Sequence, residues 1–229
     1  MNYYKEIKEQ IINNEITKKV KDYSKNKSDL NTYYNVGKLL AEAGKHYGEG
    51  IIKEYSKRLT NEFGKNYNIT TLKRMRKFYI TIEKGATMWP QLSWSHYRIL
   101  ITLDSINEIQ YYSEISIKNN LTVRELSSKI KNKEYERLPE ETKKKLINKE
   151  ETKVNDLIKN PIIIKNPNNI EVIQEKILQK LILEDIPSFL KELGYGFTFM
   201  ENEYKIKIGS TYNYIDLLLF NYEYNCFVV

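Results

Sequence analysis

The sequence runs to 229 residues, of which 41% are apolar and 29% charged, with a net charge of +7. That length can bury a sizeable core, and no stretch approaches the roughly 20 apolar residues of a membrane helix, so a soluble globular protein with no membrane partner is expected. Cys226 is the sole cysteine, which excludes an internal disulfide, and two scattered histidines, His46 and His96, argue against a structural zinc site.

The opening residues, "MNYYKEIKEQ", are charged and lack an apolar signal region, so the expected location is cytoplasmic. Residues 3–23 place Ile7, Ile11, Ile12, Ile16 and Val20 at helical spacing. A second helix follows Ser28 or Asp29 as N-cap, with Tyr33, Val36, Leu39, Leu40 and Ala43 on one face. A third is predicted over about 51–63 with the stripe Ile51, Ile52, Tyr55, Leu59 and Phe63, and Gly64 suits the position past its end. Then comes "NITTLKRMRKFYI". Thr70 or Thr71 is placed to cap it, Leu72, Met75, Phe78 or Tyr79 and Ile82 face inward, and Lys73, Arg74, Arg76 and Lys77 face outward. "SWSHYRILITL" is a further apolar segment that carries His96 and Arg98. Ser105-x-x-Glu108 and Thr122-x-x-Glu125 are capping boxes that open two more helices, with Arg124 at the start of the second.

From Leu138 to about Asn169 the periodicity weakens into charge runs and prolines, read as a polar helix and then a linker. "EVIQEKILQKLILEDIPSFLKELG" is helical, with Pro187 as a kink or the restart of a second turn. After Gly194 the texture changes to β-rich residues broken at Glu201-Asn202, Gly209-Ser210 and Tyr222 to Asn225, which predicts an antiparallel meander of three or four strands. The fold class is therefore α+β: an all-helical front and an α+β tail. Charge divides the same way. Residues 160–229 carry −3 and the first 159 carry +10.

A basic front half invites polyanions, nucleic acid first. The chain is also rich in Lys, Asn, Ile and Tyr, a bias that AT-rich coding alone produces, so arginine placement is the better clue. The helix pair 51–63 and 71–82 resembles a helix-turn-helix with a longer connection than usual. Lys73, Arg74, Arg76 and Lys77, together with Arg98 and Arg124, are the candidate nucleic-acid-binding residues. The competing reading is an ordinary helical hairpin with a solvated basic face. His96 as a catalytic base lacks a nucleophile at any recognisable spacing.

Asp216 stands apart. It lies between Ile215 and Leu217-Leu218-Leu219 in a predicted strand, and a buried acid is costly unless paired or on a metal. Alternation along a strand offers the other reading, in which Asp216 points to the wet face of the sheet. The apolar neighbours favour burial of both faces, with Asp216 near an open end.

"FLKELGYGFTF", "EYKIKIG" and "YNYIDLLLFNYEYNCFVV" resemble the C-terminal domain of the YhcG-like bacterial proteins, a family assigned to the PD-(D/E)XK nuclease class. "LKRMRKFY", "LSWSHYRIL", "LTVREL" and "YERL" are similar, in order, to that family's N-terminal domain. The resemblance implies a nuclease core in which one strand carries an Asp and the next a Glu-x-Lys. The two acids would hold Mg²⁺ and the Lys would serve the attacking water. Carried over by position, the Asp is Asp216, as metal ligand and catalytic residue. The helix Glu is Glu175, with Glu184 as the other option. In the family the strand matching "NCFVV" runs on into the Glu-x-Lys, shortly past Val229. The domain is thus expected to be incomplete, to bind Mg²⁺ weakly or not at all, and to be inactive as given. The implied division is 1–138 as a helical DNA-binding domain, 139–169 as a helical, polar linker and 170–229 as the first part of the nuclease-like domain. DNA is the expected partner, RNA stays open, and a homodimer through the nuclease-like domain is expected. The alternative is a non-enzymatic nucleic-acid-binding or protein-interaction module.

Overall fold

The computed structural model describes residues 3–20 and 25–229. The chain forms two compact units, Met1–Lys131 and Asn132–Val229.

The first unit is helical. α1 (Tyr3–Val20) buries Tyr3, Tyr4, Ile7 and Ile11. The burial of Ile16 and Val20 and the predicted extension to residue 23 lie outside the described residues. α2 (Lys25–Tyr47) starts before the predicted caps, so Ser28 and Asp29 fall within it. Asp29 instead accepts a 2.8 Å hydrogen bond from Asn14 Nδ2. α2 contributes Val36, Leu40 and Ala43 to the core, and α3 (Gly50–Phe63) contributes Ile52, Tyr55 and Leu59. Gly64 then takes φ +90°, where a side chain would be strained.

A 3-10 turn, Lys65–Tyr67, leads into α4 (Ile69–Glu83). Its cap is Asn68, whose side chain accepts from the Thr71 N–H at 3.0 Å. Thr70 and Thr71, the predicted caps, already lie within the first turn, where a residue no longer has the extended backbone that a cap requires. The inward stripe Leu72, Met75 and Phe78 is buried as the spacing predicts. α5 (Trp94–Leu100), α6 (Ile106–Lys118) and α7 (Val123–Lys131) complete the unit. The Thr122 box forms in both directions: Glu125 N–H donates to Thr122 Oγ1 at 3.3 Å, and Thr122 N–H donates to Glu125 Oε2 at 2.8 Å.

α2 and α4 touch backbone to backbone at Gly37. A Cβ there would run into the Met75 carbonyl group and come within 2.9 Å of Tyr79 Cβ. In most helix interiors Gly→Ala is stabilising by about 1 kcal/mol. Here the sign should reverse, because the added methyl pushes two packed helices apart. Gly37→Ala is expected to destabilise the unit by about 1–3 kcal/mol, read as a lower urea midpoint.

The second unit begins at Asn132, a few residues before the stretch that charge runs marked as a polar helix and linker. The polar helix is α8 (Glu140–Asn148), and the stretch after it holds a 3-10 turn, Val154–Leu157. The buried Thr142 hydroxyl donates to the Asp156 carbonyl at 2.6 Å, and Lys145 Nζ lies 3.0 Å from both Asp156 carboxylate oxygens. Many charges here are thus paired rather than solvated. The most enclosed set joins Arg137, Glu134, Lys159 and Glu192. Arg137 donates to Glu192, to the Asn132 carbonyl at 2.9 Å and to the Pro161 carbonyl at 2.7 Å. Lys159 Nζ lies 3.8 Å from Glu134 and 3.9 Å from Glu192, with its side chain 3% exposed.

α9 (Glu175–Glu184) and α10 (Ile186–Leu193) resolve the ambiguity at Pro187. The helix stops at Asp185, whose carboxylate accepts from the Ser188 N–H at 3.2 Å and caps a new helix with Pro187 in its first turn. The sheet has three antiparallel strands in the order β1 (Phe197–Ile208), β2 (Thr211–Asn221) and β3 (Cys226–Val228). The break expected at Glu201-Asn202 is instead an irregularity within one strand: the register shifts between Phe199 and Glu201, and Glu203 takes φ +53°. Leu193, Phe197 and Leu219 form the core beneath the sheet, with Phe189, Leu190 and Val228 against them.

Candidate functional site

The six candidate cations separate into groups with different surroundings. Lys73 and Lys77 are exposed on the outer face of α4, and Arg124 is exposed at the start of α7. Arg76 is engaged: its Nη1 lies 2.7 Å from both carboxylate oxygens of Glu49, whose carboxyl it holds below the usual range. Arg74 and Arg98 come from separate helices and line the same cavity, of about 640 Å³. Lys65 from the 3-10 turn, Thr70 from the first turn of α4, Tyr33 from α2 and Trp94 from α5 share that lining. The periodicity showed which face each arginine occupies but not that the two faces meet. The signal available in the sequence was that both belong to basic segments with an aromatic residue nearby.

His96 has a structural task. Its Nδ1 accepts from the Ser93 N–H at 3.3 Å and lies 2.8 Å from Ser93 Oγ, which closes a capping box at the head of α5. Its Nε2 lies 3.0 Å from the Leu121 carbonyl oxygen, so the proton belongs on Nε2. With both ring nitrogens committed, the imidazole pins α5 to the turn before α7.

Asp216 lies on the outer face of β2. Ile215, Leu217 and Leu219 alternate toward the helices, while Tyr214, Asp216 and Leu218 face the other way. Asp216 is exposed, which corrects the expectation of a strand buried on both faces. Apolar neighbours in sequence therefore do not bury it. Glu203 stands across the ladder from Asp216, between the pairs Asn202–Leu217 and Tyr204–Ile215. Farther toward the hairpin tip the same face carries Lys205, whose Nζ sits 4.1 Å from the Tyr212 ring centroid. β3 pairs with Leu219 to Asn221 alone, so the β2 edge beside Asp216 is open among the described residues.

Glu175 is exposed at the start of α9, and Glu184, at the other end of that helix, lies 3.8 Å from Lys180. Mg²⁺ usually takes one or two carboxylates with waters and substrate phosphate oxygens. Among the described residues no three His, Cys, Asp or Glu side chains gather where they could hold a metal ion. Asp216 and Glu203 are the two acids at that point of the sheet, and no third such side chain among the described residues joins them.

A helical unit with basic helices, then a helix pair backing an antiparallel meander with an aspartate on its middle strand, is the outline of a PD-(D/E)XK nuclease-like protein. Residues 6–137 match the DUF1016 N-terminal domain, and residues 155–229 match the YhcG PDDEXK nuclease domain. The chain belongs to this YhcG-like family. It is 22% identical over 242 residues to "Putative nuclease YhcG" of Escherichia coli (strain K12), an alignment covering 86% of this chain and 64% of that relative. The chain thus spans less than two thirds of that relative's length. No solved structure matches it. Nucleases of this type generally use a divalent metal such as Mg²⁺. No helix among the described residues is long and apolar enough to cross a membrane.

Proposed function

We propose that this chain binds DNA through its first unit and carries, at Asp216, one metal-ligand position of a PD-(D/E)XK centre. The observation that carries the reading is the placement of Asp216 on an accessible strand face beside an open ladder edge. A strand added to that edge in the register of β3 would run directly past Asp216. The second acid and the lysine of the motif would come from such a strand, and Glu175, with Glu184 as the other option, would be the helix acid, although Asp216 faces away from the helices. A homodimer through the second unit is the assembly that follows. Lys73, Arg74, Lys77, Arg98 and Arg124 supply the cationic surface for phosphates, while Arg76 acts mainly through Glu49.

The residues in hand offer Asp216 without a converging set of ligands. A preparation of residues 1–229 is therefore expected to bind duplex DNA in a salt-dependent way and to leave it intact with Mg²⁺ or Mn²⁺. Plasmid nicking that disappears in Asp216→Asn would contradict the second expectation. For the first, binding should weaken on the order of 10³-fold or more between 50 and 200 mM salt if several phosphates are contacted. A protein with no DNA affinity at low salt would instead be an interaction module.

A further inference from the structure

We infer that the cavity between α4 and α5 holds one unstacked nucleotide of a single-stranded nucleic acid, with its phosphate at Arg74 and Arg98 and its base at Trp94 and Tyr33. The inference rests on the reading that the first unit binds nucleic acid, and it names the form of the ligand.

Four observations carry it. First, size: about 640 Å³ falls within the range of pockets that enclose a small-molecule-sized ligand, far less than a duplex requires. Second, charge. Lys65, Arg74 and Arg98 line the cavity, and Glu15 is the acidic side chain among its lining residues. None of those three cations has an acidic partner among the described residues, and Arg74 is partly buried. Two other arginines show what this unit does with cations that serve packing: Arg76 is held by Glu49, and Arg58 lies over the Tyr4 ring at 3.5 Å. Lys65 and Arg98 are exposed and Arg74 half-buried, so with Glu15 counted the recess still presents a net positive, water-accessible face to an anion.

Third, the wall beside the cations is aromatic. Trp94 and Tyr33 have ring centroids 4.6 Å apart at 46°, which forms an angled corner rather than a closed stack. Phe78 braces Trp94 from the core side at 5.6 Å, edge to face. A braced, partly exposed indole next to a phosphate-sized cationic recess matches how proteins hold single strands, by stacking bases on aromatic rings and tracking the backbone with cations. Fourth, the parts come from α2, the 3-10 turn, α4 and α5, so the recess is built by the fold and not by one flexible segment.

The phosphate could be a 5′-terminal group or an internal phosphodiester, and the test separates them. The full chain is titrated with 3′-fluorescein-labelled twelve-residue oligothymidylate, in 5′-phosphorylated and 5′-hydroxyl forms, by anisotropy, and with the unlabelled strands by tryptophan emission. Arg74→Ala and Arg98→Ala should each weaken binding about tenfold. Arg74→Lys should keep part of the affinity, which separates loss of charge from damage to the fold. The strand should quench tryptophan emission, and Trp94→Phe should remove the quench while Trp89 remains. Lys180→Ala, on the second unit, should bind as wild type does. Preference for the phosphorylated strand identifies a terminal group, and equal binding with the same arginine dependence identifies an internal one. Either supports the inference. It is overturned if the Arg74→Ala/Arg98→Ala double variant binds the strand as wild type does, or if bound strand leaves tryptophan emission unchanged. In those cases retained salt-dependent duplex binding would leave the broader DNA reading standing. Failure of the wild type to bind any DNA would end both.

Discussion

Arg137→Ala is expected to cost the second unit about 3–5 kcal/mol, because it removes one partner from an enclosed set of charges. Arg137 and Glu192 side chains are each 10% exposed and Glu134 is 6% exposed. Without the guanidinium, the Asn132 and Pro161 carbonyls lose a donor, and Glu192 loses its closest cation and keeps only the Ile163 N–H and the more distant Lys159. The readout follows from where the tryptophans lie. Trp89 and Trp94 are both in the first unit, so their emission should report a normal transition while far-UV circular dichroism reports early loss of the second unit. Arg137→Met with Glu192→Leu should recover much of the loss, since an apolar replacement strands no charge. A single unshifted transition by both probes would contradict the prediction. The same set predicts acid sensitivity. Burial pushes the Glu192 carboxyl upward, but the Arg137 hydrogen bond, the Ile163 N–H and Lys159 outweigh it and hold it below its ordinary 4.5. Its contribution is therefore complete above about pH 4.5 and is lost as pH falls through the depressed value. Glu192→Gln should flatten that part of the stability profile.

Phe78→Ala is expected to cost the first unit about 3–5 kcal/mol, in the range of a fully buried aromatic cut to a methyl. Phe78 has no exposed surface, and its ring lies 4.8 Å from Tyr97 and 5.6 Å from Trp94. Here the pattern of probes inverts: tryptophan emission should shift to lower denaturant while the second unit is unchanged. The substitution also removes the support behind Trp94, so strand affinity should fall even under conditions where the variant is fully folded.

Helical spacing was enough to find the helices and their buried stripes, because one face of each helix meets one core. Ile52, Tyr55 and Leu59 on α3, and Leu72, Met75 and Phe78 on α4, all follow from that rule. Caps were harder. Asn68 and Thr71 are both capping residues, and which one serves depends on where the preceding 3-10 turn releases the chain. The paired charges of residues 132–192 were illegible for a different reason. Arg137 and Glu192 are 55 positions apart, and local charge density reads the same whether a side chain meets water or a distant partner. Asp216 was recognisable as unusual from its neighbours, but its exposure was not. A strand sequence does not state what, if anything, packs on each face of its sheet. The cavity shared by Arg74 and Arg98 likewise exists only once α4 and α5 are placed against each other.

The backbone contact at Gly37 also bears on what happens when a ligand arrives. Gly37 lies one helical turn from Tyr33, and the Met75 carbonyl it touches follows Arg74, so the tightest helix contact is next to the cavity wall. Helices locked that closely have little remaining freedom to lose, and their ordering entropy is given up when the unit folds rather than when a strand binds. The entropic penalty of association would then fall on the nucleic acid. Loosening the wall at Gly37 would weaken binding by making the recess pay for order at the moment of contact, with every contacting residue still in place.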